Sequence, residues 1–287
     1  MADKLTVKTY AKVNLTLDVT GRRDDGYHEI DSIFEEISLH DTLEVSVDTT
    51  GKIKISCTDA SIPCDERNIV YKACRLFFDH TGQPDSGASI SIIKNIPSQA
   101  GMGGGSTNAA GVLKALNTLT GAGLTDDELA ILGAGIGADV PFFIYGGLAH
   151  VCGIGERISV LDTFPKHFIV CAKGHSGIST KTAYQMIDSL HSPVHQNSGL
   201  ILELLQKKDI AALMKESVNT FELVTDLDDV NSIMTALTKY NCLGARMSGS
   251  GSSVFGIFDE HDCAVRAYNE LKERFEFAYL AENIIRT

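Results

Sequence analysis

The chain has 287 residues, of which 44% are apolar and 22% charged, and its formal net charge is −12. Such a composition is globular and long enough for one or two domains with a sizeable core. The acidic balance argues against a general nucleic-acid or anionic-membrane binder, and it leaves room for an anionic small substrate in a locally basic cleft. The opening "MADKLTVKTYAKVNL" has no apolar signal core, and no apolar run approaches the ~18 residues of a membrane span. The expectation is a cytoplasmic enzyme without nucleic-acid or membrane partners. Seven cysteines, at 57, 64, 74, 152, 171, 242 and 263, form no CxxC motif and read as reduced thiols, mostly core filler. His191 and His195 bracket Pro193, which disrupts any shared helical face, so no metal site is expected there.

Residues 5–19 alternate in hydropathy. Leu5, Val7, Ala11, Val13, Leu15, Leu17 and Val19 fall on one face, with Lys8, Tyr10, Lys12, Asn14, Thr16 and Asp18 on the other. Period two over this length predicts a strand. "DTLEVSV" and "GKIKISC" predict further strands. "ERNIVYKACRLFFDHTG" predicts a helix with Asn68 as N-cap and Gly82 past its end. "GASISIIKNIP" is a strand running into "PSQAGMGGGSTNAAG", and a helix follows from about 106, closed by Gly121. "TDDELAILGAG" opens with a capping box, Thr125 to Glu128. Beyond a composition change near 155–165 the pattern predicts strand 167–173 and helices near 180–190, 198–217 and 229–240. Strands 242–247 and 253–258, a helix over 261–274 and a strand near 276–285 complete it. The mixture is α+β in two packed halves, divided as 1–160 and 161–287.

Four glycines in five positions, 101–105, stand between a strand and a helix. The first amides of a helix lack internal partners and carry the positive end of its dipole, and glycine lets a bound anion approach them closely. This is a phosphate-binding arrangement, though neither of two common forms: no lysine follows the glycines as in GxxxxGK[ST], and position 106 is serine where GxGxxG needs glycine. A cation must therefore come from elsewhere. Lys12 is the leading candidate, on a strand face shared with Asn14 and Thr16; that face either lines a cleft or is an ordinary polar edge. Asp139, in "GADVPFF", is the leading carboxylate; it serves either the chemistry or the N-cap of the following helix. "SGSGSS", 248–253, is a second anion-friendly loop or a plain turn.

Several of these stretches resemble the GHMP kinases, a family that includes galactokinase, homoserine kinase and mevalonate kinase. "PSQAGMGGGSTNAA" is similar to their phosphate loop, and "GADVPFF" and "SGSGSSVFGIF" follow in the right order. "AKVNLTLDVTGRRDDGYHEIDSIF" resembles the branch whose alcohol substrate carries a cytidine diphosphate, with "GRRDDGYH" as the specific part. Departures are small: Met102 stands where leucine is usual and Thr107 where serine is.

The resemblance implies an N-terminal mixed-sheet nucleotide-binding domain, a C-terminal ferredoxin-like domain and an active site in the cleft between them. It implies transfer of the ATP γ-phosphoryl group, with Mg²⁺, to the 2-hydroxyl of a methylerythritol unit in isoprenoid-precursor synthesis. By position, Lys12 and Asp139 match the catalytic pair. The ATP loop maps onto Pro97, Ser98, Gln99 and Ala100, the turn Gly101, Met102, Gly103, Gly104 and Gly105, and the helix-opening Ser106 and Thr107. Ser106 is a candidate Mg²⁺ ligand. Tyr27 and His28 match residues that hold the cytosine, with Tyr184 as an opposing aromatic, while Asn14 and Thr180 are candidates to touch the methylerythritol portion. The implied assembly is a monomer or weak homodimer.

Overall fold

The computed structural model describes residues 3–190 and 195–286; the expectation about His191 and Pro193 lies outside them. Two long strands open the chain: β1 (Lys4–Arg22) and β2 (His28–Asp48), which pair with each other. The alternation over 5–19 thus marks the middle of a longer strand. The chain gathers into two units, one of Met1–Ala11, Leu39–Ser98 and Gly103–Gly146, the other of Lys12–Ser38, Gln99–Met102 and Gly147–Thr287.

In the first unit, β3 (Ile53–Cys57) pairs parallel with β4 (Gly87–Ile93), and β4 pairs antiparallel with Thr42–Asp48 of β2. Between β3 and β4 runs α1 (Ile69–His80). Asn68 caps it by accepting from the Val70 amide, and Gly82 sits past its end at φ 68°. Then come α2 (Gly104–Thr120), ending at left-handed Gly121, α3 (Asp126–Ala134), opened by the Thr125–Glu128 capping box, and α4 (Val140–Tyr145). Helices α1 and α4 each pack on α2, and Phe77, Phe78, Val112, Leu113, Leu116 and Phe142 are all buried. Each such side chain contributes about 1.5–3 kcal/mol relative to exposure.

In the second unit, β5 (Leu148–Gly153) pairs antiparallel with Ile30–Glu35 of β2 and with β6 (Arg157–Leu161). A second sheet holds β7 (Phe168–Lys173), β8 (Gly244–Met247), β9 (Val254–Phe258) and β10 (Phe277–Glu282), in the antiparallel order β10-β7-β9-β8. Helices α5 (Thr180–Ile187), α6 (Ser198–Gln206), α7 (Ile210–Glu216) and α8 (Asp228–Lys239) lie between β7 and β8 in sequence, and α9 (His261–Arg274) between β9 and β10. With α8 and α9 packed on this sheet, the pattern is βαββαβ in the order four-one-three-two, the ferredoxin-like arrangement.

The helix expected over 198–217 is two helices. Lys208 takes φ 55° and Asp209 caps α7 through the Ala212 amide, so the chain must break there. The cysteines form no disulfide, but only Cys74, Cys171 and Cys263 are buried, so core filling describes a minority of them. Burial pushes the Cys74 thiol up to about 12.

A buried ion pair sits beside β7. His167 Nε2 lies 3.0 Å from Glu35 Oε2, with both side chains almost fully enclosed. Burial works to lower the imidazole pKa, but the Glu35 charge, its hydrogen bond and the Pro165 carbonyl outweigh it, and the net shift is upward from 6.5. A raised histidine pKa gives stability that is whole below the unfolded value and is lost as pH rises through the folded one. The urea midpoint is therefore expected to fall as pH rises above the ordinary histidine value of 6.5, and the Glu35→Gln variant to show a flatter profile. An equally steep profile in that variant would count against the pair.

Candidate active site

The phosphate-loop candidate lies between β4 and α2. Gln99, Gly101 and Gly103 take φ 52°, 70° and 72°, so the chain makes three left-handed turns within five residues. The helix begins at Gly104, two residues earlier than expected, because Gly104 and Gly105 already turn with it. Its N-cap is Gly103, and no side chain caps its first amides. These are the unpartnered donors that a phosphate oxygen can take. A side chain on Gly104 would stand 2.9 Å from Lys94 Nζ and 3.1 Å from Ile96 Cγ2, so a larger residue there would displace the Lys94 ammonium.

That contact exposes a cation the sequence reading missed. Lys94 Nζ bonds Asp41 Oδ2 at 2.7 Å and also meets the Ile96 carbonyl. Asp41, fully buried, accepts from the amides of Asn95 and Ile96 through its other oxygen, at 2.7 and 2.8 Å. One carboxylate thus anchors both the lysine and the chain entering the loop. Lys94 stands in a strand-like run where nothing in the periodicity separates it from a surface lysine.

In the second unit, Lys12, Asn14, Thr16 and Asp18 are each at most 3% exposed. This decides one alternative: the polar face of β1 is not an open edge here. Lys12 Nζ donates to Asn14 Oδ1 at 2.5 Å and lies 4.5 Å from the Phe34 ring centroid, so its charge is held by an amide dipole and an aromatic face. Its backbone amide bonds Met102 O at 3.1 Å, tying β1 to the glycine loop. Asn14 is heavily engaged: Nδ2 donates to Ser32 Oγ at 3.0 Å, and Oδ1 also accepts from the Gly249 amide at 2.9 Å. It therefore orients Lys12 and the second glycine loop.

That second loop, 248–253, is built against the first. Ser248 Oγ donates to Gly101 O at 2.9 Å, and Ser253 Oγ donates to Ala100 O. Asn219 Nδ2 holds it from below through the carbonyls of Met247 and Gly249, at 2.7 and 2.9 Å. Thr180 meets Ser250 through their hydroxyls at 2.9 Å. Glu222 accepts from the Met247 amide at 2.7 Å; burial raises its pKa, opposed by that bond and by Arg246. Within the loop the Gly251 amide donates to the Ser248 carbonyl at 3.0 Å, so "SGSGSS" contains a β-turn, as the turn alternative has it.

His28 and Tyr184 stack, with centroids 4.5 Å apart and planes 19° from parallel, and Phe221 meets Tyr184 edge-on. His28 Nε2 bonds Asp188 Oδ1 at 2.7 Å. Tyr27, beside them in sequence, is 61% exposed. Asp139 belongs to the first unit and is half-buried at the head of α4. Asp139 occupies the N-cap position of α4, with φ and ψ of −82° and −10°, and its carboxylate makes no capping bond there.

Residues 68–147 match the family model of the GHMP kinases N terminal domain, and residues 201–276 that of the GHMP kinases C terminal. The chain belongs to the GHMP kinase family. It is 38% identical to the 4-diphosphocytidyl-2-C-methyl-D-erythritol kinase of Clostridium tetani (strain Massachusetts / E88), over 98% of this chain and 100% of that protein. The enzyme of the same name from Clostridium novyi (strain NT) is 40% identical over 96% of this chain and 99% of that protein. A crystal structure of 4-(cytidine 5'-diphospho)-2C-methyl-D-erythritol kinase superposes with TM-score 0.81 at 32% identity, over 97% of this chain and 99% of the other. The L. major mevalonate kinase, solved with R-mevalonate, shares the fold at TM-score 0.78 and 17% identity, over 100% of both chains.

Proposed function

We propose that this chain transfers the γ-phosphoryl group of ATP to the 2-hydroxyl of 4-diphosphocytidyl-2-C-methyl-D-erythritol, a step of isoprenoid-precursor synthesis. The observation that carries the reading is the near-full-length likeness to kinases named for that substrate. The bare amides at the start of α2 suit the phosphates of ATP, and a loop with three left-handed turns suits their close approach. Ser106, in the first turn of α2, is the residue that would hold a Mg²⁺ ion bound with those phosphates, where the ion would supply charge neutralisation.

Phosphoryl transfer depends on positioning and charge neutralisation more than on covalent chemistry. In this proposal Asp139 accepts the hydroxyl proton, and Lys12, oriented by Asn14, supplies positive charge where negative charge develops. Pro97 to Thr107 and Lys94 serve ATP. Tyr27, His28 and Tyr184 serve the cytosine, with Thr180 towards the rest of the substrate. Asn14 serves through Lys12, which its bonds favour over a direct substrate contact.

Incubation with Mg-ATP and 4-diphosphocytidyl-methylerythritol is expected to yield a product one phosphate heavier by mass spectrometry. No such product, or equal turnover of mevalonate or homoserine, would overturn the assignment. Truncating His28 to alanine is expected to raise KM for the cytidyl substrate about tenfold or more, with KM for ATP little changed, because the stacking face and its Asp188 partner are lost together. Equal effects on both substrates would remove His28 from the cytosine site.

A further inference from the structure

We propose that Asp31, His150 and Cys152 form a binding site for a borderline divalent transition ion of the zinc class, separate from the phosphoryl-transfer machinery. The placement follows from strand register. Asp31 of β2 lies directly opposite Cys152 of β5, and Ile33 opposite His150, so the three chemistry-bearing side chains share one face of the two-strand ribbon. The sequence shows no metal-ligand spacing because one ligand comes from a strand more than a hundred residues away.

Distances sharpen the case. His150 Nε2 lies 2.7 Å from Asp31 Oδ1 and 3.2 Å from Cys152 Sγ, so both neighbours aim at one ring nitrogen. One proton can serve only one of these contacts well, whereas a cation at their common focus serves all three. Donor atoms of the three residues lie within 4.8 Å of one another. Tetrahedral zinc, with bonds of about 2.0–2.3 Å, sets nitrogen–oxygen and nitrogen–sulfur edges near 3.3 and 3.6 Å. Each observed edge then opens by only about 0.4–0.6 Å, within reach of small side-chain rotations.

The donor set also selects the ion. One thiolate, one imidazole and one carboxylate suit zinc or cobalt, while magnesium and calcium prefer oxygen alone. The site is accessible, since the Asp31 and His150 side chains are 18% and 21% exposed, leaving solvent to supply a fourth ligand. Its carboxylate is already oriented, because Ser198 Oγ, at the start of α6, donates to Asp31 Oδ2 at 2.5 Å. Outer hydrogen bonds of this kind fix metal ligands in place. A bound ion would therefore link β2, β5 and, through Ser198, the first turn of α6.

The test is cobalt spectroscopy on the full chain after chelator treatment and under argon. Titration with Co²⁺ is expected to give about one equivalent of a tetrahedral spectrum with a thiolate-to-cobalt charge-transfer band, displaced by Zn²⁺. Cys152→Ser should abolish that band, and His150→Gln should weaken binding at least tenfold, the lower end of what lost metal-site interactions cost. Zn²⁺ should raise the melting temperature of the unsubstituted chain and not of either variant. Absence of the charge-transfer band, or its persistence in Cys152→Ser, would overturn the site. Should Cys152→Ser fail to fold, the affinity of His150→Gln decides, and an unchanged value refutes the proposal.

Discussion

Replacing Asp139 with asparagine is expected to lower kcat about a thousandfold while ATP affinity stays within about twofold, as befits a general base contributing 10²–10⁴-fold. The substitution keeps the shape of the side chain and removes its proton affinity. Because the carboxylate makes no capping bond to α4, the change removes no helix cap, and a melting curve run beside the assay separates any loss of fold from loss of the base. A thousandfold loss corresponds to about 4 kcal/mol of transition-state stabilisation. Rapid-quench turnover alongside ATP titration separates the two effects. Turnover near the unsubstituted rate would exclude Asp139 as the base.

Gly101→Ala is expected to be the most damaging single change in the loop. The residue sits at φ 70°, where an alanine costs roughly 1–2 kcal/mol. Its Cβ would also fall 1.9 Å from the Ser248 carbonyl oxygen, a backbone atom that cannot rotate away. The two glycine loops must then separate, breaking the Ser248 bond to Gly101 and moving Met102. Denaturant unfolding should show a loss of about 2–4 kcal/mol, with ATP affinity reduced more than tenfold. Gly21→Ala is the control: its backbone is ordinary, a Cβ there meets nothing within 4 Å, and its cost should stay within about 0.5 kcal/mol. Equal behaviour of the two variants would refute the packing argument.

Local signals made much of this fold legible. Asn68, Gly82, Gly121 and the Thr125–Glu128 box each mark a helix end by a backbone requirement that no distant residue changes. The same is true of the glycines before α2. What stayed hidden depended on partners far along the chain. The first half of β2 and the strands β5 and β6 are fixed by their pairing with each other. Alternation in β1 told which residues share a side, yet it could not tell that the polar side is enclosed, because the covering residues come from β2 and the loop 248–253. Lys94 and Asp41 escaped notice for the same reason: an ordinary lysine and an ordinary aspartate, 53 positions apart, become an anchor only once the chain between them has folded. The alternation in β1 also could not show that the Asn14 amide oxygen meets an ammonium and a backbone N–H, because one of those partners lies 235 positions away.

The two units trade the polypeptide back and forth at 11/12, 38/39, 98/99, 102/103 and 146/147. Even the short stretch Gln99–Met102 is lent by one unit's boundaries to the other. Scissors applied at any one peptide bond therefore cannot yield both units intact, and a gene fragment encoding either one alone does not exist as a contiguous reading frame.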